Sequence, residues 1–167
     1  MRTLYLLRHA KSSWKDPSQA DFERPLANRG RKACEIVSRV IQDRGLEFDL
    51  VLCSTAIRAR ETIDLVSKYA KLRSELRFDE RIYEATVSEL LEIVSQLEND
   101  RKAVLLVGHN PGFEDLVGRL SGSHERMPTA ALACIEFSID HWEDVSDGGA
   151  KLAWLLTPRQ LSDRNEE

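Results

Sequence analysis

Cysteine is scarce in this 167-residue chain: Cys34, Cys53 and Cys134 cannot all pair, and no C-x-x-C is present. Each lies among apolar neighbours, which reads as reduced core thiols of a cytoplasmic protein rather than a disulfide framework or a thiolate metal site. Positive charge is not in excess either. Lys and Arg number 24 against 28 Asp and Glu, for a net charge of −4 and a pI near 5.7. That balance argues against a nucleic acid partner, which needs a net basic face. No apolar run approaches a membrane span, and the amino terminus shows no apolar stretch of signal-peptide length. Repeats, low-complexity tracts and interdomain linkers are missing. A partner or ligand that needs only local positive charge stays compatible with all of this.

Three apolar runs share one design. Leu4-Tyr5-Leu6-Leu7 ends in Arg8-His9-Ala10, Leu50-Val51-Leu52-Cys53 runs into Ser54-Thr55-Ala56-Ile57-Arg58, and Ala103-Val104-Leu105-Leu106-Val107 runs into Gly108-His109-Asn110-Pro111. Without alternation, such runs read as strands covered on both faces. If the three are parallel in one sheet, Arg8, His9, Arg58 and His109 meet at the carboxyl edge, where open α/β sheets place their ligands. Arginine forks match phosphate oxygens, and neutral imidazole serves as nucleophile or hydrogen-bond partner.

The spacing between these runs supplies the helices. The first strand covers residues 2–8 and should be central, and 10–27 form a long aperiodic loop, a length that usually signals function. Asn28 is placed as the cap of a helix carrying Ala33, Ile36, Val37, Val40 and Ile41 inward and ending at Gly45. After a strand over Phe48 to Cys53, Ser54 or Thr55 is expected to cap a helix with Ala59, Thr62, Ile63, Val66 and Ala70 inward. Leu76 to Phe78 suit a short edge strand. Thr86-Val87-Ser88-Glu89 is a capping box opening a helix with Val87, Leu90, Leu91, Val94 and Leu97 on one face. Beyond the strand over 103–107, Asn110 as cap and Pro111 as first residue open a helix with Phe113, Leu116, Val117 and Leu120 inward, ending near Gly122. Ala131 to Ile139 and Ala150 to Leu156 flank Asp147-Gly148-Gly149 and predict an antiparallel hairpin. The expected fold is a three-layer α/β/α sandwich with a mixed, mostly parallel sheet, formed by one domain over 1–158 with a frayed polar tail over 159–167.

Arg8-His9-Ala10 with the distant Gly108-His109-Asn110-Pro111 resembles the histidine phosphatase superfamily, whose signature is R-H-G near the amino terminus and a later histidine. Ser54-Thr55-Ala56-Ile57-Arg58-Ala59-Arg60-Glu61-Thr62 is similar to that superfamily's S-x-x-x-R-A-x-x-T helix start. The likeness spans residues 1 to about 137. Arg8-His9-Ala10-Lys11-Ser12-Ser13-Trp14 followed by Arg24-Pro25-Leu26-Ala27-Asn28-Arg29-Gly30 most resembles the small SixA-type phosphohistidine phosphatases. The resemblance implies a phosphoglycerate mutase-like fold, His9 as nucleophile, Arg8, Arg58 and His109 as phosphate ligands, and no cofactor or metal. Ala10 replaces the usual glycine, Lys15 stands where many relatives have a phosphate-contacting asparagine, and Ala27 stands where a threonine would cap the helix.

Elementary chemistry supports those roles. Arg8 and Arg58 would disfavour protonation of His9 and hold the equatorial oxygens of a phosphoryl group in transit. A metal held by His9 and His109 is disfavoured by the adjacent arginines and by the lack of H-x-x-x-H spacing. The bland alternative for Arg58 is a surface ion pair with Glu61 or Asp64. His124 and His141, in polar stretches, read as solvent residues. The resemblance also makes Glu84 the candidate general acid, since it stands just before the capped helix, in the region where ester-cleaving relatives place an acidic residue. An ester leaving group needs that proton, whereas the imidazole of phosphohistidine leaves once its ring is protonated. With a minimal segment after Glu84, the pocket should be open and suited to a side chain on another protein, with Lys11, Lys15, Arg24 and Arg29 rimming it. The expected activity is therefore removal of phosphate from protein phosphohistidine by a monomer. The alternatives are a small-molecule phosphomonoesterase and a catalytically weak phosphate-binding module.

Overall fold

In the computed structural model, which describes residues 1–164, six strands form one mixed sheet flanked by helices on both faces. The strands are β1 (Arg2–Arg8), β2 (Leu50–Cys53), β3 (Glu75–Phe78), β4 (Ala103–Gly108), β5 (Leu132–Phe137) and β6 (Ala150–Leu156), in the spatial order β3-β2-β4-β1-β5-β6. Pairings β3/β2, β2/β4 and β4/β1 are parallel, whereas β1/β5 and β5/β6 are antiparallel. The expected closing hairpin is thus present, and β1 is interior.

Helices α1 (Asn28–Asp43) and α2 (Ile57–Ala70) cover one face, and α3 (Val87–Ser95) and α4 (Gly112–Ser121) the other. The period-2 pleat explains this division. Leu4, Leu6, Leu50, Leu52, Val104 and Leu106 point toward α3 and α4. Leu7, Val51, Cys53, Leu105 and Val107 point toward α1 and α2. Both faces are buried, so the strands read as unbroken apolar runs. Truncating one of these leucines to alanine costs about 2–5 kcal/mol.

The helix starts differ from the expectations at three places. Ala27, not Asn28, is the cap of α1, and Ala56, not Ser54 or Thr55, is the cap of α2; neither receives a side-chain cap bond. At α4 the cap is Pro111, with Asn110 Oδ1 accepting from Glu114 N at 3.3 Å. The capping box at Thr86 and Glu89 forms as expected. Gly122 ends α4 in the left-handed region at φ 76°.

Residues Pro158–Arg164 fold as α5 rather than fraying, and pack against α1. The rest of the expected tail, 165–167, lies outside the described residues. Cys34, Cys53 and Cys134 are free and buried. No helix among the described residues is long and apolar enough to cross a membrane.

Candidate active site

Strand register builds the floor of the site. Arg8 pairs with Gly108 across β1/β4, and Cys53 pairs with Val107 across β2/β4. The residues that follow, His9, Ser54 and His109, therefore emerge side by side at one sheet edge. His9 N donates to Gly108 O at 3.0 Å, and Ser54 N donates to Val107 O at 3.0 Å. A side chain at Gly108 would press on Phe113 and Ile82 at under 3 Å, so glycine is what lets α4 close against this edge.

His9 is 7 % exposed, and its Nδ1 lies 2.7 Å from the Ala10 carbonyl. A carbonyl can only accept, so Nδ1 carries the proton and Nε2 keeps its lone pair. Arg58 Nε donates to that lone pair at 3.3 Å. Burial pushes the imidazole down to about 4, with Arg58 and Arg8 adding to burial while the Ala10 carbonyl and Asp21 oppose it. His9 is neutral at physiological pH, with one nitrogen fixed and the other presented.

His109 sits at a ring-centroid distance of 5.1 Å from His9. Its Nε2 is 2.7 Å from Ser54 Oγ, which also accepts from Ala56 N at 3.3 Å. Ser54 is fully buried, and Nε2 is the one acceptor its hydroxyl proton reaches among the described residues. Buried donors must be satisfied, so Ser54 donates to Nε2 and His109 carries its proton on Nδ1. That Nδ1 is buried without a hydrogen-bond partner among the described residues, as is Arg8 Nε. Two guanidiniums gathered around two neutral imidazoles make this sheet edge suited to an anion. Burial, then the His9, Arg58 and Arg8 charges, push His109 down to about 3 against the pull of Asp21.

The arginines are held from outside the pocket. Arg8 Nη1 donates to Met127 O at 2.9 Å, and Asn110 Nδ2 reaches the same carbonyl at 2.9 Å. Arg58 stands in the first turn of α2, as expected, and is 8 % exposed. It pairs with neither Glu61 nor Asp64. Its Nη2 meets Asp21 Oδ2 at 3.0 Å and its Nη1 meets Asp21 O at 2.8 Å. Glu61 instead accepts from Leu26 N and pairs with Arg31.

Several participants carried no assigned role in the sequence. Thr62 Oγ1 donates to Arg58 O at 2.6 Å and accepts from Ala10 N at 3.0 Å, tying α2 to the peptide that follows His9. Its signal was its place in the S-x-x-x-R-A-x-x-T match. Asp21 and Tyr83 had no local signal. Tyr83 donates to Asp21 Oδ2 at 2.7 Å, its ring meets His109 edge-on at 5.5 Å, and burial and Asp21 push its phenol up to about 12. Glu84 is exposed on left-handed backbone at φ 56°, next to Tyr83. Arg24 is buried rather than rimming the pocket. It stacks on Trp14 at 3.6 Å and donates to the Asp16 and Gln19 carbonyls, stapling the 10–27 loop. Lys11, Lys15 and Arg29 are exposed. His124 and His141 are exposed as well.

The chain belongs to the histidine phosphatase superfamily (branch 1), whose family model matches residues 4–100. Its class is thus that of the phosphatases of this superfamily, and its α/β fold is the phosphoglycerate mutase-like one. It is 32 % identical to an uncharacterized protein of Mycobacterium tuberculosis over 92 % of this chain and all of that one. Among solved structures, it is similar to a protein classed as the phosphohistidine phosphatase SixA from Agrobacterium tumefaciens. The two are 28 % identical with a TM-score of 0.81, covering 94 % of this chain and 98 % of that one. The protein histidine phosphatase SixA complexed with tungstate shares the fold at a TM-score of 0.82 and 22 % identity, over 95 % of this chain and 99 % of the other.

Proposed function

We propose that this chain removes phosphate from phosphohistidine on a protein, through a phosphorylated His9, with no cofactor. The observation that carries the reading is the fixed tautomer of His9, whose unprotonated Nε2 accepts from Arg58 Nε at 3.3 Å within the field of Arg8 and Arg58. In the first step a bond forms from His9 Nε2 to phosphorus, and the bond from phosphorus to the substrate's ring nitrogen breaks, its electron pair leaving with the ring. Arg8, Arg58 and His109 hold the three equatorial oxygens as charge spreads over them. Water then attacks phospho-His9 and restores neutral imidazole.

The rim supports a protein substrate. Between the turn at Glu80–Ile82 and α3 only four residues intervene, Tyr83 to Thr86, too few to lid the site. The structural relatives classed as SixA favour the same substrate class. Glu84 is assigned the protonation of ester leaving groups, a task that phosphohistidine does not require. Residues 1–158 act as one domain, as a monomer, and the buried reduced cysteines suit a cytoplasmic setting.

The test is phosphate transfer from a protein radiolabelled on histidine. Wild type should trap acid-labile, alkali-stable label and then release phosphate, while His9→Ala traps none and loses roughly 10⁴-fold or more in turnover. Glu84→Gln run alongside should release phosphate at close to the wild-type rate. Label trapped by His9→Ala overturns the intermediate. Turnover of aryl or sugar phosphates alone moves the substrate to small esters, and tight phosphate binding without turnover makes the chain a binding module.

A further inference from the structure

Asp21 is an anion at the mouth of an anion site, and that placement needs a reason. It opens a single 3-10 turn in the 10–27 loop, 37 residues from the arginine it touches. Two donors, Arg58 Nη2 and the Tyr83 hydroxyl, converge on its Oδ2. Oδ1 makes no hydrogen bond among the described residues, and the side chain is 51 % exposed while that of Arg58 is 10 % exposed. One oxygen is therefore pinned, and the other is left with its lone pairs unused on a half-exposed side chain. The charge acts on both His9 and His109, so it lies within electrostatic reach of the transferred phosphoryl group.

A fixed carboxylate repels an incoming dianionic phosphate. The repulsion is offset only if the substrate brings a cation of its own to the same spot. Phosphate esters bring none. Phosphohistidine does, because the ring nitrogen that does not carry phosphorus takes a proton near neutral pH.

We infer that Asp21 selects phosphohistidine: its free Oδ1 accepts a hydrogen bond from the protonated, non-phosphorylated ring nitrogen of the substrate. The inference rests on the proposed function and names the residue that reads the leaving group. As the P–N bond breaks, its electron pair goes to the departing nitrogen and cancels the ring's positive charge. The ring leaves as neutral imidazole with its other proton in place, and His9 becomes the phosphorylated imidazolium. No further acid is needed. Asp21 stays ionised for this task, because the Tyr83 hydrogen bond and Arg58 outweigh burial and hold its carboxyl below the usual range. Phe22, edge-on to Tyr83 at 5.1 Å, extends an aromatic wall against which an imidazole plane can lie.

The groups facing Asp21 are Arg58 from α2, Tyr83 from the turn before α3, and His9 and His109 from the sheet edge. A purely mechanical role, holding Arg58 in place, would affect every substrate alike. The experiment measures kcat/KM across pH for wild type, Asp21→Asn, Asp21→Glu and Tyr83→Phe. The substrates are a protein phosphorylated on histidine with phosphoramidate and p-nitrophenyl phosphate, whose leaving group is an anion. In Asp21→Asn the ratio of phosphohistidine to aryl phosphate kcat/KM should fall roughly tenfold or more, the weight of one charge-assisted hydrogen bond. The alkaline limb of the phosphohistidine profile should move to lower pH, because the ring loses the carboxylate that keeps it protonated. Asp21→Glu should restore part of the ratio. Tyr83→Phe, which removes one of the two donors to Oδ2 while keeping the charge, should lower it less, and decides the matter should Asp21→Asn fail to fold. Equal losses on both substrates with an unchanged pH profile overturn the inference and leave Asp21 as a prop for Arg58. A wild type idle on phosphohistidine but active on the aryl ester overturns the proposed function itself.

Discussion

The floor of the site and its rim are built by different means. The floor is strand ends: His9, Ser54 and His109 are placed by backbone bonds between β1, β2 and β4, and all three are buried. The rim is loop: Asp21 is placed by bonds to Tyr83 and to Arg58, and is half exposed. A floor set by register cannot shift without breaking the sheet, so it suits a reaction common to a whole superfamily. A rim set by three side chains can be rewritten by a few substitutions, so it suits the choice of substrate. Arg58 belongs to both, with Nε on His9 and its two terminal nitrogens on the rim.

Removing that joint should have the largest effect. Arg58→Ala takes away a transition-state donor and frees Asp21, and should lower kcat/KM roughly 10²- to 10³-fold on every phosphate substrate. Near wild-type rates would show that floor and rim work separately. A smaller effect is expected within the floor. Ser54→Ala removes the donor that fixes the tautomer of His109 and should cost roughly tenfold in kcat, about the worth of one hydrogen bond. Should turnover hold, His109 keeps its proton on Nδ1 without help.

The last expected effect is on stability rather than on turnover. With His9 and His109 pushed down to about 4 and 3, the unfolded chain takes up their protons below about pH 6.5 while the folded protein does not. The unfolded state then binds more protons, so stability falls as pH drops from about 6.5 toward 4. Each histidine contributes on the order of 1–3 kcal/mol across that range. Thermal melts between pH 6.5 and 5, above the carboxylate range, should fall for wild type and fall less steeply for His109→Gln, which keeps the His9 share. An unchanged slope in that variant would mean that the floor is not the origin of the acid sensitivity.

The floor was legible in the sequence because a buried strand that ends in a charged or imidazole side chain is a local pattern. The rim was not, since nothing in an aperiodic loop says that Asp21 folds back onto a residue 37 positions away. The helix caps failed for a related reason. Asn28 and Ser54 are good capping residues by type, but Ser54 gives its hydroxyl to His109, and α2 starts instead after Ala56. Arg24 misled in the same way, as its charge reads as solvated until Trp14 and two carbonyls claim it. The capping box at Thr86 was readable because both of its partners lie within four residues.

The three buried cysteines carry a consequence for working conditions. Burial pushes Cys34 up to about 12 and Cys134 up to about 11, and raises Cys53, which directly precedes Ser54, further still. None is a thiolate at neutral pH, and it is the thiolate that peroxide attacks. Phosphatases that rely on a reactive cysteine are silenced by such oxidants. With His9 as the proposed nucleophile and all three thiols buried and protonated, phosphate release should not change when the protein is exposed to peroxide.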